Sequence, residues 1–179
     1  MATCSSVFRP SASIRSGFLT IACVAVAATG AAQDTATIPR VRTTSAAVMA
    51  ALDLGARHSQ TFRGLIAKID ATDGIVYIDE GTCGHTVRAC LLHLVTIAGP
   101  HRLLYVRVDP RKDAGCILVA RIGHELYHAI EALSSPKVRS NPDMVSLFQR
   151  IGPTGSDRLE TRAAQRTGRD VEHEVCRQI

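Results

Sequence analysis

The chain has 179 residues, with 21 Lys and Arg against 16 Asp and Glu, a net charge of +5 and only 4% aromatic residues. So mild a basicity, with no Lys/Arg cluster interleaved with aromatics, argues against a nucleic-acid surface. The sequence also lacks a Gly-rich phosphate loop and a G-x-S-x-G elbow, which removes the commonest nucleotide-binding and serine-hydrolase signatures.

In chain order, residues 1–32 carry only Arg9 and Arg15 as charges, then an Ala-rich apolar run from Gly17 to Ala28, then small residues. This is the layout of a secretory signal peptide cleaved between Ala28 and Ala32, so the expected destination is the periplasm or the extracellular space. The run is short for a membrane span and nothing later is longer or more apolar, so no span is expected after cleavage. The alternative is an uncleaved N-terminal anchor. Cleavage leaves about 145 residues, enough for one domain with a modest core. It also removes two of the 21 basic residues and none of the 16 acidic ones, for a charge near +3. Four cysteines remain. Cys83 and Cys90 are the expected disulfide, whereas Cys116 and Cys176 read as small buried hydrophobes.

Residues 33–44 are polar and contain Pro39, a flexible lead-in to a domain spanning 45–179. Ser45 caps a short helix ending near Gly55. Ser59 caps a second, with Phe62, Leu65, Ile66 and Ile69 at helical spacing. Asp73-Gly74 breaks the pattern, and Ile75 to Ile78 is a β-rich run. Arg88 to Ile97 and Arg102 to Val108 form two more strands, joined at Ala98-Gly99-Pro100-His101 as a hairpin. Cys116 to Leu133 then carries apolar residues at helical spacing, started by Asp113 or by Asp109-Pro110 and stopped by Ser134-Ser135-Pro136. Residues 136–142 form a loop, Asp143 to Ile151 a short helix and Gly152 to Gly155 a turn. Ser156 caps the last helix, from Asp157 to about Arg177. The expected class is α+β, a small antiparallel three-stranded sheet with helices packed on it.

The centre of the long helix reads His124-Glu125-Leu126-Tyr127-His128. Residues four apart share one helical face, so His124 and His128 can reach a single metal ion while Glu125 leans over it. This is the H-E-x-x-H pattern of zincins, two zinc ligands and a general base. A catalytic zinc normally takes a third protein ligand. Glu131 shares the face but lies about 10 Å along the axis from His124, so it is read as supporting the site or as structural, for example by pairing with an arginine. Glu160 is the better candidate. It falls on the stripe of Ala164, Thr167, Val171 and Val175, where a buried carboxylate requires a cation, strong donors or a metal. Its bland reading is a first-turn glutamate favoured by the helix dipole and partly solvated.

His124-Glu125-x-x-His128 followed by Glu160-x-x-Ala163 resembles the gluzincin metallopeptidases, whose third zinc ligand is a glutamate on a downstream helix. Gly123-His124-Glu125-Leu126, His128-Ala129-Ile130-Glu131 and Leu159-Glu160-Thr161 are also similar to small exported bacterial zincin-like proteins. The resemblance implies a zincin-like fold with the two helices adjacent, and one Zn²⁺ held by His124, His128 and Glu160. It implies peptide hydrolysis with Glu125 as base. Where the gluzincin pattern often has Asp four residues after the ligand Glu, this chain has Ala164. Tyr105 and Tyr127 could steady an oxyanion but read as packing, and His93, opposite Leu92 and Leu94, reads as a surface histidine. The expected substrate is a peptide or protein lying antiparallel to an edge strand. A non-catalytic, zinc-stabilised binding domain is the alternative, with metal-assisted hydrolysis of a non-peptide amide a third reading.

Overall fold

Residues 39–84, 87–152 and 160–179 are described by a computed structural model and belong to one unit, Thr37–Ile179. The proposed leader, the cap at Ser156 and most of the Gly152 to Gly155 turn lie outside the described residues.

The elements run β1 (Val41–Arg42), α1 (Ala46–His58), α2 (Gln60–Asp70), β2 (Gly74–Glu80), β3 (Ala89–Ala98), β4 (His101–Val108), α3 (Gly115–Leu133), α4 (Asn141–Ile151) and α5 (Arg162–Cys176). The class is α+β as expected, but the sheet is four-stranded and mixed, in the order β1-β2-β4-β3. β1 and β4 both pair parallel with β2, and only β3 and β4 are antiparallel. Two features defeat the expected antiparallel meander. Val41–Arg42 is too short to show a period of two, yet it adds a strand inside the expected flexible lead-in and buries Val41. β3 lies one strand position beyond the neighbour of β2, and the hairpin then inserts β4 between β2 and β3.

Along β4 the odd and even positions separate. Arg102, Leu104, Val106 and Val108 are buried, whereas Leu103, Tyr105 and Arg107 are not, so one sheet face packs on helices. The helix on which the rest packs is α3, whose Leu118, Val119, Ile122, Leu126, Ala129 and Leu133 enter a core shared with Val48, Phe62 and Ile69. Gly55 does not end α1. The helix continues through it to His58, and a Cβ there would stand 2.7 Å from Phe62 and 2.8 Å from Val119. Its small size sets how closely α1 meets its neighbours.

The ends of α3 differ. No side chain caps its start: Ala114 occupies the N-cap, and Asp109 instead pairs with Arg111 and Lys112. At its other end the buried Arg102 binds the Asp73 carboxylate through Nε and Nη2 and donates to the carbonyls of Ala132, Leu133, Ser135 and Val138. A single guanidinium thus satisfies carbonyls that a helix terminus leaves without partners, and ties α3 to the start of the sheet. α4 begins two residues earlier than expected, since Ser140 caps it and Pro142 is tolerated in a first turn. α5 begins later, at Arg162, capped by Thr161.

Candidate metal centre

His124 and His128, one turn apart on α3, bring their rings to 4.9 Å between centroids. Glu160 reaches both. Its Oε2 lies 3.2 Å from His124 Nε2 and its Oε1 3.0 Å from His128 Nε2. One ligand atom from each of the three residues lies within 4.8 Å of the others, so the group could hold a metal ion. Donors at about 2.1 Å from a tetrahedral centre stand about 3.4 Å apart, and the two Glu160 contacts are close to that spacing, so these three residues would hold the ion. The sequence reading of Glu160 is corrected in one respect. It precedes α5 rather than riding on its first turn, because Thr161 takes the N-cap and its Oγ1 accepts from Ala164 N–H. A residue outside the helix is free of the helical side-chain direction and turns back toward α3.

Among the described residues, Glu131 has no arginine partner. It accepts from His128 Nδ1 at 2.8 Å and, through its other oxygen, from Thr161 Oγ1 at 2.8 Å. Because a carboxylate only accepts, His128 carries a hydrogen on Nδ1, and Nε2, which faces Glu160, is the nitrogen a metal would take. Thr161 N–H in turn donates to Glu160 Oε1 at 2.9 Å. The Thr161 cap therefore links the glutamate that orients His128 to the glutamate that faces it. Glu131, three residues past His128, was visible in sequence as a same-face neighbour, but the part played by Thr161 was not.

Glu125 is 6% exposed. Leu91 N–H donates to its Oε2 at 2.6 Å, while its Oε1 lies 3.9 Å from His124 Nε2. The Leu91 contact exists because β3 is an edge strand whose ladder breaks between Leu91 and Val95. Three residues there face a single residue of β4. Leu91 N–H turns to Glu125 and Val95 N–H to Asn141 Oδ1 at 2.9 Å. The bulge also ends the alternation assumed for Leu92, His93 and Leu94: His93 and Leu94 are both exposed, and His93 lines the cavity over the cluster. Phe148 of α4 stands edge-on to His128, its centroid 5.3 Å away, and 6.1 Å from that of His93. Neither contact was legible in the sequence.

The charges explain why these groups gather. Burial pushes the Glu125 carboxyl above its ordinary range, against the pull of His124 and His128. Burial alone would lower His128, but hydrogen bonds to Glu131 and Glu160 and the Glu125 charge outweigh it and push it up to about 9. Burial would raise Glu160, yet its hydrogen bonds with His124 and His128 hold it below the usual carboxylate range. Three carboxylates around two imidazoles favour a positive charge at the centre.

A cavity of about 640 Å³ opens over the cluster, bounded by β3 on one wall and α3 on the other. A second groove of about 340 Å³ between α3 and α5 shares Arg121, His124 and Glu160 with it. The tyrosines lie elsewhere. Tyr105 stacks on Tyr77 with centroids 5.9 Å apart, and Tyr127 packs against the core. Cys83–Cys90 is a disulfide as expected, and so is Cys116–Cys176, which corrects the reading of that pair as buried hydrophobes. No described helix is long and apolar enough to cross a membrane.

The close approach of α3 and α5 depends on glycine. A Cβ on Gly168 would stand 3.2 Å from His124 Cβ and 3.5 Å from its Nδ1. Gly168→Ala improves helix propensity by about 1 kcal/mol in isolation. Here it is expected to displace the His124 ring and to lower metal affinity on the order of tenfold, as changes beside a ligand do. Metal titration of the variant measures this, and an unchanged affinity would show that the helices absorb the methyl group elsewhere.

Comparison of the chain with protein-family models, with curated proteins and with solved structures finds no match to any of them.

Proposed function

We propose that this chain is an exported zinc-dependent hydrolase of gluzincin type that cleaves peptide amide bonds. The observation that carries the reading is the convergence of His124, His128 and Glu160 beside the buried Glu125. Two imidazoles and a carboxylate suit a single Zn²⁺ and leave one position of a tetrahedron open, as catalytic rather than structural sites do. Zinc, when bound, supplies a Lewis acid that polarises a carbonyl and makes water acidic enough to lose a proton near neutral pH. Glu125 would take that proton, a role supported by the Leu91 N–H that fixes one of its oxygens and by burial, which raises its affinity for a proton. It would later return the proton to the leaving amine. His128, held by Glu131, keeps its ring in one orientation throughout.

A peptide substrate fits the edge of β3. Residues on one side of an antiparallel strand alternate, so Ala89 shares with Leu91 the side turned away from β4. Of the two edge strands, β3 borders the cavity. Strand addition there would bring an amide bond over the cluster. Export is supported by the leader-like first 32 residues and by two disulfides, which an oxidising compartment permits. One observation favours the competing reading of a non-catalytic, zinc-stabilised binding domain. The bond from Leu91 to Glu125 gives that carboxylate a structural use of its own.

The protein purified without an affinity tag and supplied with zinc is expected to hold about one equivalent and to cleave peptides until a chelator is added. Glu160→Ala is expected to lose the metal. Glu131→Ala is expected to keep it with affinity lowered about 10- to 100-fold, because Glu131 orients a ligand without being one. Elemental analysis and zinc titration read both. Loss of metal in Glu131→Ala alone would reverse the assignment.

A further inference from the structure

The cavity has two chemically different ends. Where β3 and α3 face one another across the cluster, His93 and Phe148 gather around His128, while Arg88 and Arg121 lie toward the start of each element. Arg121 sits three residues before His124, about one helical turn, or 4.5 Å, along the axis. Arg88 precedes Ala89 at the start of β3. The two guanidinium groups thus come from opposite walls, and Arg121 also borders the groove between α3 and α5. Both have donors to spare among the described residues. Arg121 meets Asp113 only at 3.7 Å, beyond hydrogen-bond length, and Arg88 makes one contact of 3.4 Å, to the Lys112 carbonyl. Among the described residues, the carboxylates that line the cavity are Glu125 and Glu160, and both are engaged at the cluster.

Strand direction orders these ends relative to a substrate. β3 runs from Arg88 toward His93, so a peptide added antiparallel runs from the His93 and Phe148 end to the Arg88 and Arg121 end. Its C-terminal side meets the arginines. We propose that Arg88 and Arg121 form a carboxylate-binding subsite that selects peptides bearing a negative charge just C-terminal to the cleaved bond. Guanidinium forks match a carboxylate in shape as well as charge, and the short reach from Arg121 to His124 places that carboxylate within one or two residues of the reacting amide. A free chain terminus and an Asp or Glu side chain present the same group. The inference rests on the zinc-hydrolase reading and extends it to substrate class.

The test uses zinc-loaded protein and mercaptoacyl dipeptides, whose thiol binds the metal and whose residues extend to the C-terminal side. The probes end in a free acid or a carboxamide, and the carboxamide series carries Glu or Gln beside the thiol-bearing unit. Wild type is expected to bind the free acid, the Glu-containing amide or both roughly tenfold more tightly than the uncharged form, the scale of a hydrogen bond to a charged group. Arg121→Gln should erase that preference and Arg88→Gln should reduce it, with zinc content unchanged in each. A preference confined to the free acid assigns the subsite to chain termini, and one confined to Glu assigns it to acidic side chains. Equal affinity of wild type for all probes would overturn the subsite and leave the metal site intact. A protein that takes up no zinc would overturn the hydrolase reading and the subsite with it.

Discussion

Replacing Glu125 by Gln is expected to leave zinc bound at about one equivalent and to reduce peptide hydrolysis by roughly 10²- to 10⁴-fold, the usual contribution of a positioned base. Gln keeps the shape of the side chain, and its amide oxygen can still accept from Leu91 N–H, so the 2.6 Å contact that ties α3 to β3 has a substitute. What is lost is the carboxylate beside His124 Nε2, the oxygen that could hold a proton. The measurement is mass spectrometry of an unbiased peptide library at neutral pH, with wild type and variant matched for zinc and a chelator control. Cleavage by wild type alone separates the enzyme from a binding domain, because a purely structural zinc site has no use for a base. Equal cleavage by both proteins would remove Glu125 from the mechanism. Absence of cleavage by either would favour the non-catalytic alternative, in which Glu125 serves to hold β3.

What the sequence carried well was whatever repeats along one element. The period of α3, the spacing of His124, Glu125 and His128, the Ser59 cap and the hairpin at Gly99 are all local, and all recur in the structure. The relations that failed are between elements. Val41–Arg42 becomes a strand only because β2 offers it an edge, and β4 lies parallel to β2 because β3 takes the outer position of the sheet. Alternation through Leu92, His93 and Leu94 fails at a bulge that Glu125 and Asn141 stabilise from outside the strand. Glu160 is intermediate. Its apolar stripe was read correctly from Ala164 onward, but extending the helix back to residue 157 ignored Thr161, whose hydroxyl caps a helix as readily as Ser156 would. Thr161 also links Glu131 to Glu160 through its hydroxyl and its backbone N–H.

Removing the Cys116–Cys176 bridge by Cys116→Ala with Cys176→Ala is expected to cost about 4 kcal/mol of unfolding free energy. The figure follows from the 60 residues the bridge closes, since a longer loop removes more entropy from the unfolded chain. The same reasoning gives about 2 kcal/mol for Cys83–Cys90, which closes only seven. Against total stabilities of about 5–15 kcal/mol for a domain, the first loss is large and the second moderate. Position sharpens the contrast. Cys116 lies in the first turn of α3 and Cys176 ends α5, so the bridge joins the helix bearing both histidines to the one that follows Glu160. Packing of Gly123 against Val171 and of Gly168 against His124 holds the same pair of helices in register. Loss of the bridge should therefore lower metal affinity as well as stability, whereas loss of Cys83–Cys90 should leave the affinity of the cluster unchanged and act on the cavity wall. Urea denaturation and zinc titration of the two double variants test both statements. A Cys116/Cys176 variant no less stable than the Cys83/Cys90 variant would mean that α3 and α5 are held by their packing alone.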